Sequence, residues 1–182
     1  FSQPSIVSAN YYGMATMTEY LIEAGHEDIG FLGTVGSTES ITERYLGYKR
    51  ALLTHDLKMN PDWVLDDRKI QNGKVMIELP ETLPTAFVCN SDRSAVDLVG
   101  ELAKVGKRVP EDISLVSYDG YLPVADELSL TTMAVDFGKM AAATFQVLTA
   151  ILDERDPAQL RYVIPGHLIE GDSVRPVSVA AR

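Results

Sequence analysis

Along this chain the apolar positions follow two alternating rhythms. Short β-rich runs such as Ile29-Gly30-Phe31-Leu32, Thr85-Ala86-Phe87-Val88-Cys89 and Ile113-Ser114-Leu115-Val116-Ser117-Tyr118 read as buried strands. Between them, apolar side chains recur every three or four residues, the spacing of a helix with one buried face. Met14, Met17 and Leu21 form such a stripe from about Tyr12 to Ala24. Gly25 then supplies a left-handed stop, and His26 just beyond suits the negative end of the helix dipole.

Ser40-Ile41-Thr42-Glu43 has the spacing of a capping box, and Ile41, Tyr45, Tyr48 and Leu52 carry the next stripe to about Thr54. Trp63-Val64-Leu65 predicts a strand, and Lys74 to Leu79 a short helix. A helix over Arg93 to Val105, with Val96, Val99 and Leu102 inward, stops at Gly106. With Ile6-Val7 opening the series, strands joined by intervening helices predict an α/β fold. Its parallel, Rossmann-like sheet would carry helices on both faces.

The character changes after Leu130. Thr131 to Asp136 predicts a strand, and Phe137 to Leu152 a longer helix bearing Met140, Phe145 and Leu148. Arg161 to Glu170 predicts two β pieces broken by Pro165-Gly166, and little pattern follows Asp172. A boundary near Leu128 to Thr132 divides the chain into 1–130 and 131–182.

Composition narrows the function classes. With 182 residues, 46% of them hydrophobic and 23% charged, the chain can bury a real core and is not globally disordered. No apolar run reaches bilayer length, so no membrane role is expected. Phe1-Ser2-Gln3-Pro4 has neither a basic start nor an initiator Met, which suggests a fragment or a processed chain. The single cysteine, Cys89, fits a reducing, cytoplasmic setting and sits inside an apolar strand, where packing explains it. A formal charge of -10 with no basic stripe argues against this segment gripping nucleic-acid phosphates itself.

Candidate chemistry gathers where the strands end, the place where open α/β sheets bind ligands. The second strand runs into Gly33, Gly36, Ser37 and Thr38, with Arg44 on the helix that follows. The third runs into Asp66-Asp67-Arg68, the fourth into Asn90-Ser91-Asp92, and the fifth into Asp119-Gly120. Carboxylates and an amide can accept from sugar hydroxyls while guanidiniums donate in a fixed fork. Phe137 could supply an aromatic platform for a pyranose face.

Each residue also has a plainer reading. Arg44 could be a solvated helix residue, Asp92 a helix N-cap, Asp119 a turn residue and Phe137 core. Catalysis has little support. No Gly-rich phosphate loop or nucleophile elbow is present, and the three histidines lack metal-ligand spacing. Neither a cofactor nor a metal is expected.

Several segments together resemble the lactose/galactose-repressor family of transcription regulators. Leu21 to Phe31 resembles its helix-Gly-His-x-x-Ile-strand signature, and Arg44-Tyr45-Leu46-Gly47-Tyr48 its Arg-x-x-Gly-Tyr/Phe helix. Pro84 to Asp92 resembles its Pro-Thr-Ala strand, and Leu130-Thr131-Thr132 its crossover. The most specific match is Gly106-Lys107-Arg108-Val109-Pro110-Glu111-Asp112-Ile113-Ser114, continuing to Tyr118-Asp119. The departures are Ser91 for a usual Asn, Ser117 for Gly, Gly120 for a second Asp, and Glu170-Gly171-Asp172-Ser173 for an Arg-centred pattern.

The resemblance implies a two-lobed core of the type I periplasmic-binding-protein fold with a small-molecule effector, a sugar, in the cleft. Residues 1–130 would form mainly the C-terminal lobe, and 131–182 the returning part of an incomplete N-terminal lobe. Carried over by position, Arg44, Ser91, Asp119 and Phe137 match effector-contacting places, with Asp67 or Arg68 near another; Asp92 joins them on its strand end. The implied partners are operator DNA, through a domain absent from this chain, and a second copy. That homodimer would use the Arg93 to Val105 helix with Leu122 to Leu128. The competing reading is the sugar-binding component of a transport system, which shares the fold, with an enzyme a distant third.

Overall fold

A computed structural model describes residues 3–71, 74–121, 128–155, 157 and 161–177. The elements run β1 (Ser5–Ser8), α1 (Asn10–Glu23), β2 (Ile29–Leu32), α2 (Glu39–Thr54) and β3 (Val64–Leu65). Next come the pair β4 (Ile70–Gln71) and β5 (Lys74–Val75), then β6 (Ala86–Cys89), α3 (Asp92–Lys104) and β7 (Ser114–Asp119). The chain closes with β8 (Thr131–Ala134), α4 (Phe137–Leu152), β9 (Arg161–Ile164) and β10 (His167–Ile169).

Six strands form the main sheet in the order β10-β8-β7-β6-β2-β3, parallel throughout except for β10. Period-two alternation sorts its side chains onto two faces. Ile29, Phe31, Ala86, Val88, Val116 and Tyr118 meet Met14, Met17 and Leu21 of α1 and Tyr48 and Leu52 of α2. Leu32, Phe87, Cys89 and Leu115 point the other way, onto Leu98 and Leu102 of α3. The expected sheet with helices on both faces is what forms. The helical period expected of α1 holds in detail, since Met14, Met17 and Leu21 are all fully buried.

Three local expectations fail, each for a stated physical reason. No helix spans Lys74 to Leu79; β5 pairs antiparallel with β4, and the Met76 amide donates to the Lys69 carbonyl. A six-residue helix would leave most of its backbone groups open, whereas the hairpin pairs them. The capping box is displaced: Thr38, not Ser40, accepts the Ile41 amide at 3.2 Å, and Glu43 is drawn away to Asn10 and Arg161. His26 is no dipole partner. It is buried, with Nδ1 at 2.9 Å from the Thr85 hydroxyl and Nε2 at 3.1 Å from the Arg175 carbonyl.

The segment from Thr131 onward is shared between two sheets. β8 pairs with β7 and β10 with β8, so both lie in the main sheet. β9 instead pairs in parallel with β1 in a separate two-stranded sheet, and α4 packs against both. The expectation that all of 131–182 belongs with the N-terminal lobe therefore meets a chain that crosses over twice. The plain stretch after Asp172 is stitched down by hydrogen bonds to the backbone of β7 and of the turn after α1. Leu115 donates to the Ser173 carbonyl at 2.8 Å, Ser173 Oγ donates to the Leu115 carbonyl, and the Val177 amide donates to Ala24.

Candidate functional site

Because β2, β3, β6 and β7 run in parallel, their carboxyl ends deliver Thr34, Asp67, Asn90 and Asp119 to one edge of the sheet. Arg44, a little over one turn into α2, reaches across this edge. Its Nε donates to Asn10 Oδ1 at 2.9 Å, and its Nη1 donates to the Asn90 carbonyl. Nη2 lies 3.3 Å from Asp119 Oδ1, and the guanidinium stacks 3.8 Å from the centroid of the Tyr118 ring. Each of its three nitrogens has a partner, which holds the planar fork in one pose.

Asp119 ends β7 with φ at 114°, a left-handed conformation that a non-glycine residue adopts at a cost of about 1–3 kcal/mol. Gly120 follows at φ 75°, where an added Cβ would stand 2.4 Å from the Ala134 Cβ. This backbone aims the Asp119 carboxylate along the rim. Burial pushes its pKa above the ordinary 3.8, and nearby Asp92 adds to the rise, while the Arg44 guanidinium opposes it.

Asp67 is held differently. Burial pushes its pKa up, but hydrogen bonds from Ser94, Thr34 and Asn90 outweigh that and leave it below the usual value. Ser94 Oγ donates at 2.6 Å, and the Thr34 amide at 2.9 Å. Asn90 also donates to Asp67 and to Ser94 Oγ, tying two strand ends to the start of α3. The carboxylate thus stays charged and fixed in place.

Two adjoining cavities share Ser40, Arg44 and Asp119. The first, about 470 Å³, is lined by Asp67, Arg68, Asn90, Ser91 and Ser94 among others. The second, about 320 Å³, lies between the two sheets, with Ser8 of β1, Phe137 and Met140 of α4 and Arg161 of β9 in its walls. Phe137 begins α4 and is 61% exposed, so the aromatic face is open to an occupant rather than used as core.

Of the seven residues singled out from the sequence, Arg44, Asp67, Arg68, Ser91 and Asp119 border the first cavity, and Phe137 borders the second. Asp92 does not. It is wholly buried behind the rim, accepting from the Ser117 and Thr132 hydroxyls at 2.7 Å each and from the Tyr121 amide at 2.9 Å. Nor is it the helix cap, because Ser91 Oγ accepts the Ser94 amide at 3.1 Å. Asp92 fastens α3 to β7 and β8.

Ser94, Asn10 and Tyr118 were missed as supports. Asn90 was expected at its strand end as an acceptor for the ligand, whereas its side-chain amide donates inward to Asp67 and Ser94. Asn10 comes from a distant helix start, and no spacing rule links it to Arg44. Among the described residues no cluster of three or more metal-ligating side chains occurs, and no helix is long and apolar enough to cross a membrane.

Comparison with known proteins places this geometry. The profile of the periplasmic binding protein-like domain matches residues 18–174. The chain belongs to that family. Among its curated relatives is a protein named HTH-type transcriptional repressor PurR from Pasteurella multocida, 32% identical over 170 residues, covering 87% of this chain and 48% of that protein. Its counterpart from Vibrio campbellii is 28% identical over 179 residues, covering 95% and 53%. This family member therefore spans about half the length of the curated relatives it matches.

Solved structures agree on the fold. A complex of the transcriptional regulator CelR with cellobiose superposes with a TM-score of 0.79 at 22% identity, over 94% of this chain and 54% of that one. A sugar-binding transcriptional regulator of the LacI family from Escherichia coli, complexed with phosphate, gives 0.76 at 23%, over 95% and 64%. The resemblance to the lactose/galactose-repressor family and the periplasmic-binding-protein-like fold read from the sequence are both borne out.

Proposed function

We propose that this chain is the effector-binding core of a DNA-binding transcription repressor, taking a neutral, hydroxyl-rich small molecule of the sugar class. The observation that carries the ligand class is the Arg44–Asp119 pair, clamped by Asn10, Asn90 and Tyr118 and shared by two adjoining cavities. Fixed donors and acceptors recognise a hydroxyl that both gives and receives, and the exposed Phe137 face suits a sugar ring.

The role in repression is supported by the names of the relatives, all transcription regulators rather than transport components or enzymes. Operator DNA would be read by a part of the protein outside this chain, consistent with the charge of -10 here. Arg44, Asp67, Arg68, Ser91, Asp119 and Phe137 would touch the effector, and Asp92 would hold the rim from behind. The action is binding without chemistry, needs no cofactor, and belongs in the cytoplasm.

β1, α4 and β9 would contribute to one lobe and the main sheet would be the other, so an occupant between them biases their arrangement. Such a bias can reach only the ligand's differential affinity for the two arrangements. A homodimer would form through α3; the accompanying segment 122–127 lies outside the described residues.

Calorimetry on the full-length protein with a panel of mono- and disaccharides tests the ligand class. At least one sugar should bind, and Asp119→Ala should remove detectable binding. If nucleobases bind and no sugar does, the ligand class is wrong.

A further inference from the structure

A second cavity system lies away from the Arg44 rim, along the carboxyl half of α2 beside Tyr11 at the start of α1. It encloses about 570 Å³ and is lined mainly by apolar side chains, among them Leu46, Leu52, Leu57 and Met59. After α2 the chain turns back through Asp56 at φ 54°, and the Leu57 amide donates to the Leu52 carbonyl at 2.9 Å. That turn sets Leu57 and Met59 against the helix they have just left. The Tyr45 hydroxyl, 3.3 Å from Met59 Sδ, fixes the floor.

Two cations, Lys49 and Arg50, border this apolar floor. Lys69, Arg93, Lys104, Arg108, Lys139 and Arg155 each lie within ion-pair distance of a carboxylate. Lys49 and Arg50 make no ion pair among the described residues. Instead Lys49 Nζ lies 5.5 Å from the Tyr45 ring, and Arg50 lies 5.5 Å from the Tyr12 ring and 5.7 Å from that of Tyr11. Aromatic faces orient a cation without neutralising it, so both charges stay available. In a chain of net charge -10, two unneutralised cations beside an apolar hollow complement a ligand that is anionic at one end and apolar along its body.

The volume falls in the range of small-molecule sites, about 300–1,000 Å³. We propose that this hollow binds a small organic carboxylate with an apolar body, such as a medium-chain carboxylate. Its tail lies on Leu52, Leu57 and Met59, and its head is held by Lys49 and Arg50. The site is separate from the effector cleft, since none of the residues lining it borders either Arg44 cavity.

The test is an amide chemical-shift titration of the isotopically labelled protein with octanoate, below its micelle concentration, beside octylamine of equal chain length. Octanoate should shift the Tyr11 amide and those of residues 46–59 saturably, and octylamine should not. Lys49→Glu with Arg50→Glu should weaken octanoate about tenfold or more, as expected for two partly screened charge contacts. Both side chains are exposed, so the fold should survive. Should the double variant lose its dispersed amide spectrum, Lys49→Gln and Arg50→Gln singly must each still weaken octanoate. No shift at several millimolar, equal response to octylamine, or shifts confined to the outer face of α4 would overturn the proposal.

Discussion

The helices α1 and α4 are of similar length, 14 and 16 residues, and both are rich in apolar side chains, yet they meet opposite fates. α1 buries Met14, Met17 and Leu21 completely between the main sheet and α2. α4 buries only Ala143 and Val147, leaving Phe145 72% and Leu152 83% exposed. The difference does not lie in helical period. It lies in what stands opposite: the middle of a six-stranded sheet and a neighbouring helix for α1, a two-stranded sheet for α4. A helix draws most of its stability from such packing rather than from its own propensity, and a two-stranded sheet offers little.

The contrast can be broken most sharply by truncation on each side. Leu21 of α1, fully buried against the main sheet, should cost about 2–5 kcal/mol as Leu21→Ala, through lost transfer energy and the cavity left behind. Phe145→Ala should change stability by no more than about 0.5 kcal/mol, as at other surface positions. Urea unfolding with unchanged slope would read both. Equal losses would mean that the outer face of α4 is covered in solution.

The junction between the two regions should be less tolerant than its exposure suggests. Gly166 separates β9 of the small sheet from β10 of the large one, and an added Cβ would stand 2.4 Å from the Ala134 carbonyl oxygen. Backbone cannot yield as a flexible side chain does, so Gly166→Ala should cost about 1–3 kcal/mol. A neutral result would show that the small sheet can shift freely against the main one.

An apolar face left open should also find company. Phe145 and Leu148, exposed on α4, should drive concentration-dependent association of this chain, visible in light scattering. Phe145→Ser with Leu148→Ser should weaken it about tenfold or more, a shift of about 1.4 kcal/mol. A monodisperse species at all concentrations would break the comparison from the other side.

What the sequence disclosed, and what it hid, follows the same division. The main sheet was legible because its signals are local: a stripe of three apolar residues in α1, unbroken apolar runs in β2 and β6, stops at Gly25 and Gly106. α4 was placed over its full extent by the same period. The destination of β8 and β10 was not legible, because strand pairing joins residues far apart and no local pattern names the partner. At the rim, Asp119 could be found from its position at a strand end, and Arg44 from its place early in the helix that follows β2. Asp92 looked equivalent, yet its depth was decided by Ser117 and Thr132, which arrive from β7 and β8. The seven sequence choices thus separate by side-chain direction, which spacing alone does not encode.

The smallest effect belongs to the edge of the main sheet opposite the rim, where the tail is stitched down. Burial lowers the pKa of His26 from 6.5, and the hydrogen bond to the Arg175 carbonyl recovers part of that. Glu111, Asp112 and Arg175 border the same cavity. Because the folded pKa is the lower one, the unfolded chain takes up a proton first as the pH falls. Stability is therefore full above pH 6.5 and declines as acidification crosses the window down to the folded pKa. Asp119 acts in the opposite sense and from a lower starting point, since its raised pKa gives stability at acid pH that is lost as the pH climbs above 3.8. His26→Gln, which keeps a donor toward Arg175, should flatten the slope of unfolding free energy between pH 7 and 5 while leaving the response below pH 4 in place. An unchanged slope would mean that the tail clasp stays closed with His26 protonated, and that the large sheet owes its acid sensitivity to its carboxylates alone.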